Sequence, residues 1–241
     1  MIPEDKIQEF VKRIREAAGD NLECVVLYGS AANGTYDAEF SNLNFLCLLR
    51  ETSFAKLNQL AAFAKWWRGL KQPLPHLMTR AELEATTDVF TIELIDMQQH
   101  RRILYGDDVI AALEIPRNMH RAQVEYELRE KLVLLRERAL IADGKEQHLW
   151  ELLVHSAPSF ATLFRHALIA LGHPASIDRR QAVNELAKFV SFDSSAILQV
   201  LDVRERKLDA KKVDVRELFA RYLDGIEKVT SAVDKAFEPG E

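Results

Sequence analysis

Apolar residues recur along this chain in two rhythms, and the change comes near its midpoint. In the first half, helical and extended spacings alternate. Residues 3–18 put Ile7, Phe10, Val11 and Ile14 on one stripe, which predicts an amphipathic helix ended by Gly19. Residues 22–28 and 43–49 are short β-rich runs and predict two mostly buried strands. Phe54, Leu57, Leu60, Ala61 and Ala64 share one side of a helix over 53–69, capped by Ser53, with Trp66 and Trp67 near its end packing against the sheet. A connector, Lys71-Gln72-Pro73-Leu74-Pro75, leads to a short strand at 76–78 and a brief helix at 81–86 capped by Thr79. Residues 89–97 (Val-Phe-Thr-Ile-Glu-Leu-Ile-Asp-Met) read as a third main strand. On it, Thr91, Glu93 and Ile95 share one face and Phe90, Ile92 and Leu94 the other. Ile103-Leu104-Tyr105 reads as an edge strand.

From Pro116 onward the rhythm is almost entirely helical. Val124, Leu128, Leu132, Leu135 and Ala139 step by three and four, so one long helix runs to about Ala142 and closes at Asp143-Gly144. Residues 148–171 predict a helix pair or a broken helix, with Pro158 as the kink or break. Asp178 caps a helix over 179–190, and two more follow at 194–206 and 215–237. The fold class expected is α+β: a small mixed sheet flanked by helices over residues 1–114, then an all-α bundle of four or five helices over 115–241.

Composition narrows the class further. With 48% hydrophobic and 29% charged residues, the chain has the balance of an ordinary globular protein. A net charge of −5 gives no electrostatic case for nucleic acid as partner. The two cysteines, Cys24 and Cys47, fall in predicted strands and read as buried free thiols of a reducing compartment. No apolar run approaches the ~20 residues that span a bilayer. The N-terminal residues start an amphipathic helix rather than a signal peptide, so a cytoplasmic location and no membrane partner are expected. His120, His148, His155, His166 and His173 lack metal-site spacing, and no nucleophile elbow is present. His100-Arg101-Arg102 is a basic spot that reads as a solvated cluster, with a phosphate contact as the alternative.

The chemistry concentrates where the first strand ends. Leu27-Tyr28-Gly29-Ser30-Ala31-Ala32-Asn33-Gly34 is a strand running into a Gly-Ser turn. Gly29 permits the tight turn, and Ser30 offers a hydroxyl and free backbone N–H groups suited to phosphate. Ser41-Asn42-Leu43-Asn44 then opens the second strand. Asn42 and Asn44 are two apart and share a face, toward the turn if the strands are neighbours. Carboxylates at those positions would clamp a metal against a triphosphate, whereas two amides bring shape without charge. Asp37 and Glu39 lie in the loop before Ser41 and read as solvated acids.

This pattern resembles the nucleotidyltransferase superfamily of the DNA polymerase beta type, which includes aminoglycoside and minimal nucleotidyltransferases. The family layout is an apolar strand, Gly-Ser, a further Gly, then Asp-x-Asp opening the next strand. Gly29, Ser30, Gly34 and Ser41 match it. Asn42 and Asn44 occupy the two Asp positions, and Asn33 stands where many members carry Arg. The resemblance implies a nucleotide-binding set of Gly29, Ser30, Gly34, Asn42 and Asn44, with Glu93 as the candidate third carboxylate and only catalytic candidate. An α/β domain followed by a helical bundle also looks like the aminoglycoside enzymes, or like a minimal nucleotidyltransferase joined to a HEPN-type bundle. No Arg-polar-His nuclease motif of the latter is present.

Two functions follow from the resemblance. The first is a nucleotidyltransferase-fold protein that is catalytically impaired and binds a nucleoside triphosphate or small ligand, as a regulator or partner-binding module, with no resident metal. The second is an active enzyme that uses Mg2+ to move a nucleotidyl group onto a small-molecule hydroxyl. A bundle of this size can also pair through an exposed helix face, so a homodimer stays open.

Overall fold

The N-terminal stripe forms its helix over Glu4–Ala18 (α1), with Ile7, Phe10 and Ile14 buried. The structure, a computed structural model, describes residues 2–175 and 178–237. They fall into two units, Met1–Pro116 and Arg117–Glu241.

In the first unit, Leu22–Tyr28 (β1), Asn44–Leu49 (β2), His76–Met78 (β3) and Arg101–Tyr105 (β4) form one sheet in the order β3-β2-β1-β4. β1 runs antiparallel to β2 and β4, and β2 runs parallel to β3, so the sheet is mixed. Alternation along β1 and β2 sends apolar side chains to both faces, because both are covered. One face, with Val25, Leu27, Phe45 and Cys47, packs on α1 and on Ala61–Gly69 (α3). Phe10 stacks on Phe45 at 3.7 Å between ring centroids, and Trp67 meets both edge-on at 4.8 and 5.7 Å. The Trp67 indole N–H donates to the Pro73 carbonyl at 2.7 Å, which satisfies its one polar atom inside the core. The other face, with Cys24, Val26, Leu46 and Leu48, lies under Arg80–Ala85 (α4), Thr91–Gln99 (α5) and the Val109–Ile110 segment.

Three expectations need correction in this unit. Residues 89–97 are not a strand: Thr91–Gln99 is the helix α5, with Thr91, Ile92, Leu94 and Met97 buried and Phe90 exposed. The sheet face offers this segment a surface to lie across, and burial at three-residue steps overrides its β-branched composition. Residues 54–69 make two helices, Phe54–Gln59 (α2) and α3, with a break at Leu60. Leu60, Phe63 and Trp67 carry the burial there, whereas Phe54 is exposed. Ser53 makes no side-chain cap bond, unlike Thr79, which forms a reciprocal capping box with Glu82 at the start of α4.

The second unit contains five α-helices among its described residues: Arg117–Ala142 (α6), Glu146–Ala170 (α7), Arg179–Leu186 (α8), Ser194–Arg204 (α9) and Val215–Phe237 (α10). α7 is the central element and packs against each of the other four. It runs unbroken through Pro158, against the expected break. Proline removes the N–H that would bond the Val154 carbonyl. The Arg204 guanidinium donates to that carbonyl at 2.8 Å, so the orphan acceptor is satisfied from α9.

Three polar side chains form a chain inside this unit: Arg165, His166 and His120, all buried. Arg165 Nη2 lies 3.0 Å from His166 Nε2, and His166 Nδ1 lies 3.0 Å from His120 Nε2. Arginine has only donors, so Nε2 of His166 accepts. His166 therefore carries its proton on Nδ1 and donates to His120.

Candidate functional site

Two adjacent strands bring the Gly-Ser turn and the asparagines together. In the β1–β2 register Tyr28 pairs with Asn44. Gly29 then leaves the strand with φ +73° into a 3-10 turn over Gly29–Ala31. A Cβ on Gly29 would stand 3.0 Å from Asn44 Nδ2, so the Asn44 amide lies over the turn. Both the left-handed backbone and the close approach require glycine here. Ser30 sits in the turn, and its carbonyl accepts from the Thr35 N–H at 3.1 Å. Gly34, also left-handed at φ +81°, reverses the loop.

Beyond the turn the loop is held by its own side chains. Asn33 Oδ1 accepts from the Thr35 N–H at 3.1 Å and the Thr35 hydroxyl at 2.7 Å. Asp37 Oδ1 accepts from the N–H groups of Glu39 and Phe40 at 2.8 and 3.1 Å, so this acid is a turn former. Asn42 is exposed, just before β2, and the next residue is anchored by its N–H donating to Gln72 Oε1 at 2.8 Å.

Asn44 shares its sheet face with Leu46 and Leu48, the face covered by α4 and α5. Where that cover ends, a recess of about 80 Å³ opens, lined by Tyr28, Leu46, His76, Met78, Thr86, Phe90 and Glu93 among others. Glu93 is thus in the first turn of α5, not on a strand, and lines the same recess as Tyr28. Burial, and then the Glu93 carboxylate, push the Tyr28 hydroxyl well above its ordinary value, so it stays protonated. The Tyr28 and His76 rings lie 6.2 Å apart. Sequence reasoning missed Tyr28 and His76 as parts of this wall. Their only signal was position: Tyr28 directly precedes Gly29, and His76 opens a strand.

The basic spot is committed elsewhere. Arg101 is held by Asp108, at 2.8 Å from Nε, and by the carbonyls of Met97 and Gln98. Arg102 pairs with both oxygens of Glu4 at 2.6 and 3.0 Å. The Arg102 guanidinium holds the Glu4 carboxyl below its usual range, and Arg101 does the same for Asp108. Cys24 and Cys47 are buried free thiols. Burial, helped by Asp108, pushes Cys24 up to about 11, and burial raises Cys47 as well.

A magnesium ion, which the fold family implies, fits this donor set poorly. The Gly29 turn is faced by the neutral amide of Asn44, Asn42 is an exposed amide just before β2, and Glu93 is the one acidic residue of the recess wall. Among the described residues no three of His, Cys, Asp or Glu gather as a ligand set. Magnesium favours charged oxygens and gives up its water reluctantly. No helix among the described residues is long and apolar enough to cross a membrane.

Comparison with known proteins bears on the domain and its fold. Residues 5–101 match the family model of the nucleotidyltransferase domain. A spectinomycin adenyltransferase from Enterococcus faecialis, solved with ATP and spectinomycin, is similar in structure with a TM-score of 0.60 at 15% identity. The match covers 95% of this chain and 98% of that one. No curated protein matches the chain in sequence. Over residues 5–101, the chain thus carries a nucleotidyltransferase domain.

Proposed function

We propose that the chain binds a nucleotide at the Gly29–Ser30 turn and has lost efficient metal-assisted nucleotidyl transfer. The observation that carries this reading is the Asn44 amide lying over Gly29, with Asn42 two residues before it. Asparagine matches aspartate in shape, so the turn keeps its form while the anionic pair is gone. Without that pair, protein and triphosphate no longer repel each other in the absence of metal. The likeness to an adenyltransferase solved with ATP supports a nucleoside triphosphate as the ligand class.

Calorimetric titration with ATP and GTP, each with and without magnesium, tests the reading. The expected result is binding that magnesium changes by less than about twofold. The double variant Asn42→Asp/Asn44→Asp should become magnesium-dependent. Transfer of a labelled nucleotide by the unmodified chain would overturn the loss of activity. Absence of binding in both forms would overturn the nucleotide site.

One observation favours a second reading, an active transferase acting on a small-molecule hydroxyl. Glu93 and Tyr28 line one recess, and Tyr28 is the strand partner of Asn44. In that reading Gly29 and Ser30 hold the triphosphate, and Glu93 takes the proton of the acceptor hydroxyl. Glu93→Gln would then abolish transfer while leaving nucleotide binding intact.

A further inference from the structure

The outer face of α6 carries large apolar side chains at regular intervals among its charged residues. Met119, Tyr126, Val133 and Leu140 follow one another at seven-residue steps, and all four are exposed, Leu140 by 82%. Ile141 beside it is 80% exposed. The buried residues of α6, among them Val124, Leu128, Leu132 and Leu135, lie on the opposite side of the helix. From Met119 to Leu140 the stripe is about 32 Å long at 1.5 Å per residue. Large exposed apolar side chains that recur every second turn on one line of a helix mark a contact surface, and a seven-residue period keeps that line facing a second helix wound beside it.

We infer that α6 pairs with α6 of a second copy of this chain, the two helices running parallel. The charges beside the stripe select both partner and direction. Arg129 and Arg136 flank it on one edge, and Glu130 and Glu137 on the other. A two-fold axis parallel to the helices sets each arginine row beside the glutamate row of the other copy. Arg129 then faces Glu130 and Arg136 faces Glu137 on both edges. An antiparallel pair would set arginine against arginine and glutamate against glutamate. One helix thus carries both halves of a matching pattern, which is what an isologous contact requires. The arginines are also ordered in advance. Arg129 is held by Glu125 at 2.9 Å and Asp234 at 2.6 Å, and Arg136 by Glu227 at 2.7 Å, yet their side chains remain 50% and 53% exposed. Ordered side chains lose less freedom on association. The apolar stripe supplies the attraction, and the charges set register and direction.

Sedimentation equilibrium on the full chain tests this. The mass should rise from 27.5 kDa toward twice that value by about 100 µM. Leu140→Glu and Val133→Glu change exposed positions, so circular dichroism should be unaltered while the mass stays at that of one chain. Glu130→Arg/Glu137→Arg should weaken pairing at least ~10-fold at low salt, because it makes every edge arginine against arginine. In an antiparallel pair the same change would only exchange one like-charge edge for another. Tyr126→Cys and Leu140→Cys lie ~21 Å apart on the helix. A parallel pair lets each of them cross-link to its own counterpart, since Cys24 and Cys47 are buried. A single-chain mass at every concentration, a mass unchanged by Leu140→Glu, or cross-linking by only one of the two cysteine variants overturns the inference.

Discussion

Acidification should loosen the second unit through one buried imidazole. Burial, and then the neighbouring His166, lower His120 from 6.5 to about 4. The hydrogen-bond chain gives a second reason. His120 Nε2 accepts from His166, so a proton on that atom would face another N–H. The folded state therefore stays unprotonated over a range in which the unfolded chain takes up a proton. Between the two values the unfolded state binds more protons, so stability falls as pH falls from about 6.5 toward 4 and is fully present above that range. From pH 7 to pH 5 the linkage amounts to about 2 kcal/mol. For a chain of this size that is a drop of roughly 4–8 °C in Tm. The assay is urea unfolding at both pH values, followed by circular dichroism, for the unmodified chain and for His120→Gln. Glutamine keeps an acceptor for His166 but does not titrate. The difference between the two slopes isolates His120 from the other titrating groups. Equal losses of stability in the two proteins would refute the reasoning.

Other outcomes follow from the same contacts. Gly106→Ala should destabilise strongly, by more than ~2 kcal/mol, because its φ is +74° and a Cβ would stand 2.0 Å from the Glu23 carbonyl oxygen; thermal unfolding measures it. Trp67→Ala empties the aromatic cluster around Phe10 and Phe45 and should cost roughly 3–5 kcal/mol in urea unfolding. Arg204→Ala leaves the Val154 carbonyl without its donor, at about 1–3 kcal/mol, and Pro158→Ala in the same chain should recover part of the loss by restoring a helical N–H. Cys24 and Cys47 should resist iodoacetamide in the folded chain at pH 8 and react at once in denaturant, since burial keeps both thiols protonated.

What the sequence revealed depended on how local the cause was. Gly29, the strand before it and Asn44 after it were legible because a left-handed turn and an antiparallel pair are set within about twenty residues. Residues 89–97 were misread because a nine-residue β-branched run suits a strand or a helix until something covers it. Here the sheet face beneath Leu94 and Met97 decides. Pro158 was misread for a similar reason: what relieves it is Arg204, distant in sequence. The recess was only partly visible, since Tyr28, His76 and Glu93 come from three elements and no spacing links them. On α6 the sequence displays two apolar stripes. Burial shows that Val124, Leu128, Leu132 and Leu135 face inward, which leaves the seven-residue stripe outside.

The two asparagines remove the metal's effect on nucleotide binding together with the repulsion that makes the metal necessary. With aspartates at 42 and 44, a bare triphosphate would meet two like charges. Each would oppose it by on the order of 1–2 kcal/mol at ~10 Å and an effective dielectric of ~20. Magnesium would reverse that repulsion, and binding would track the metal. With amides the repulsion is absent, and so is the anchor that holds the ion. Nearby cations do not take over, because Arg101 and Arg102 are occupied by Asp108 and Glu4. The remaining attraction rests on the backbone N–H groups of the Gly29 turn and on Ser30, which favour an anion without selecting its metal complex. Free ATP should therefore bind the unmodified chain at least as well as its magnesium complex, and Asn42→Asp/Asn44→Asp should invert that order. Tighter binding of magnesium ATP by the unmodified chain would show that carboxylates elsewhere, Glu93 of the recess wall among them, already supply the missing charge.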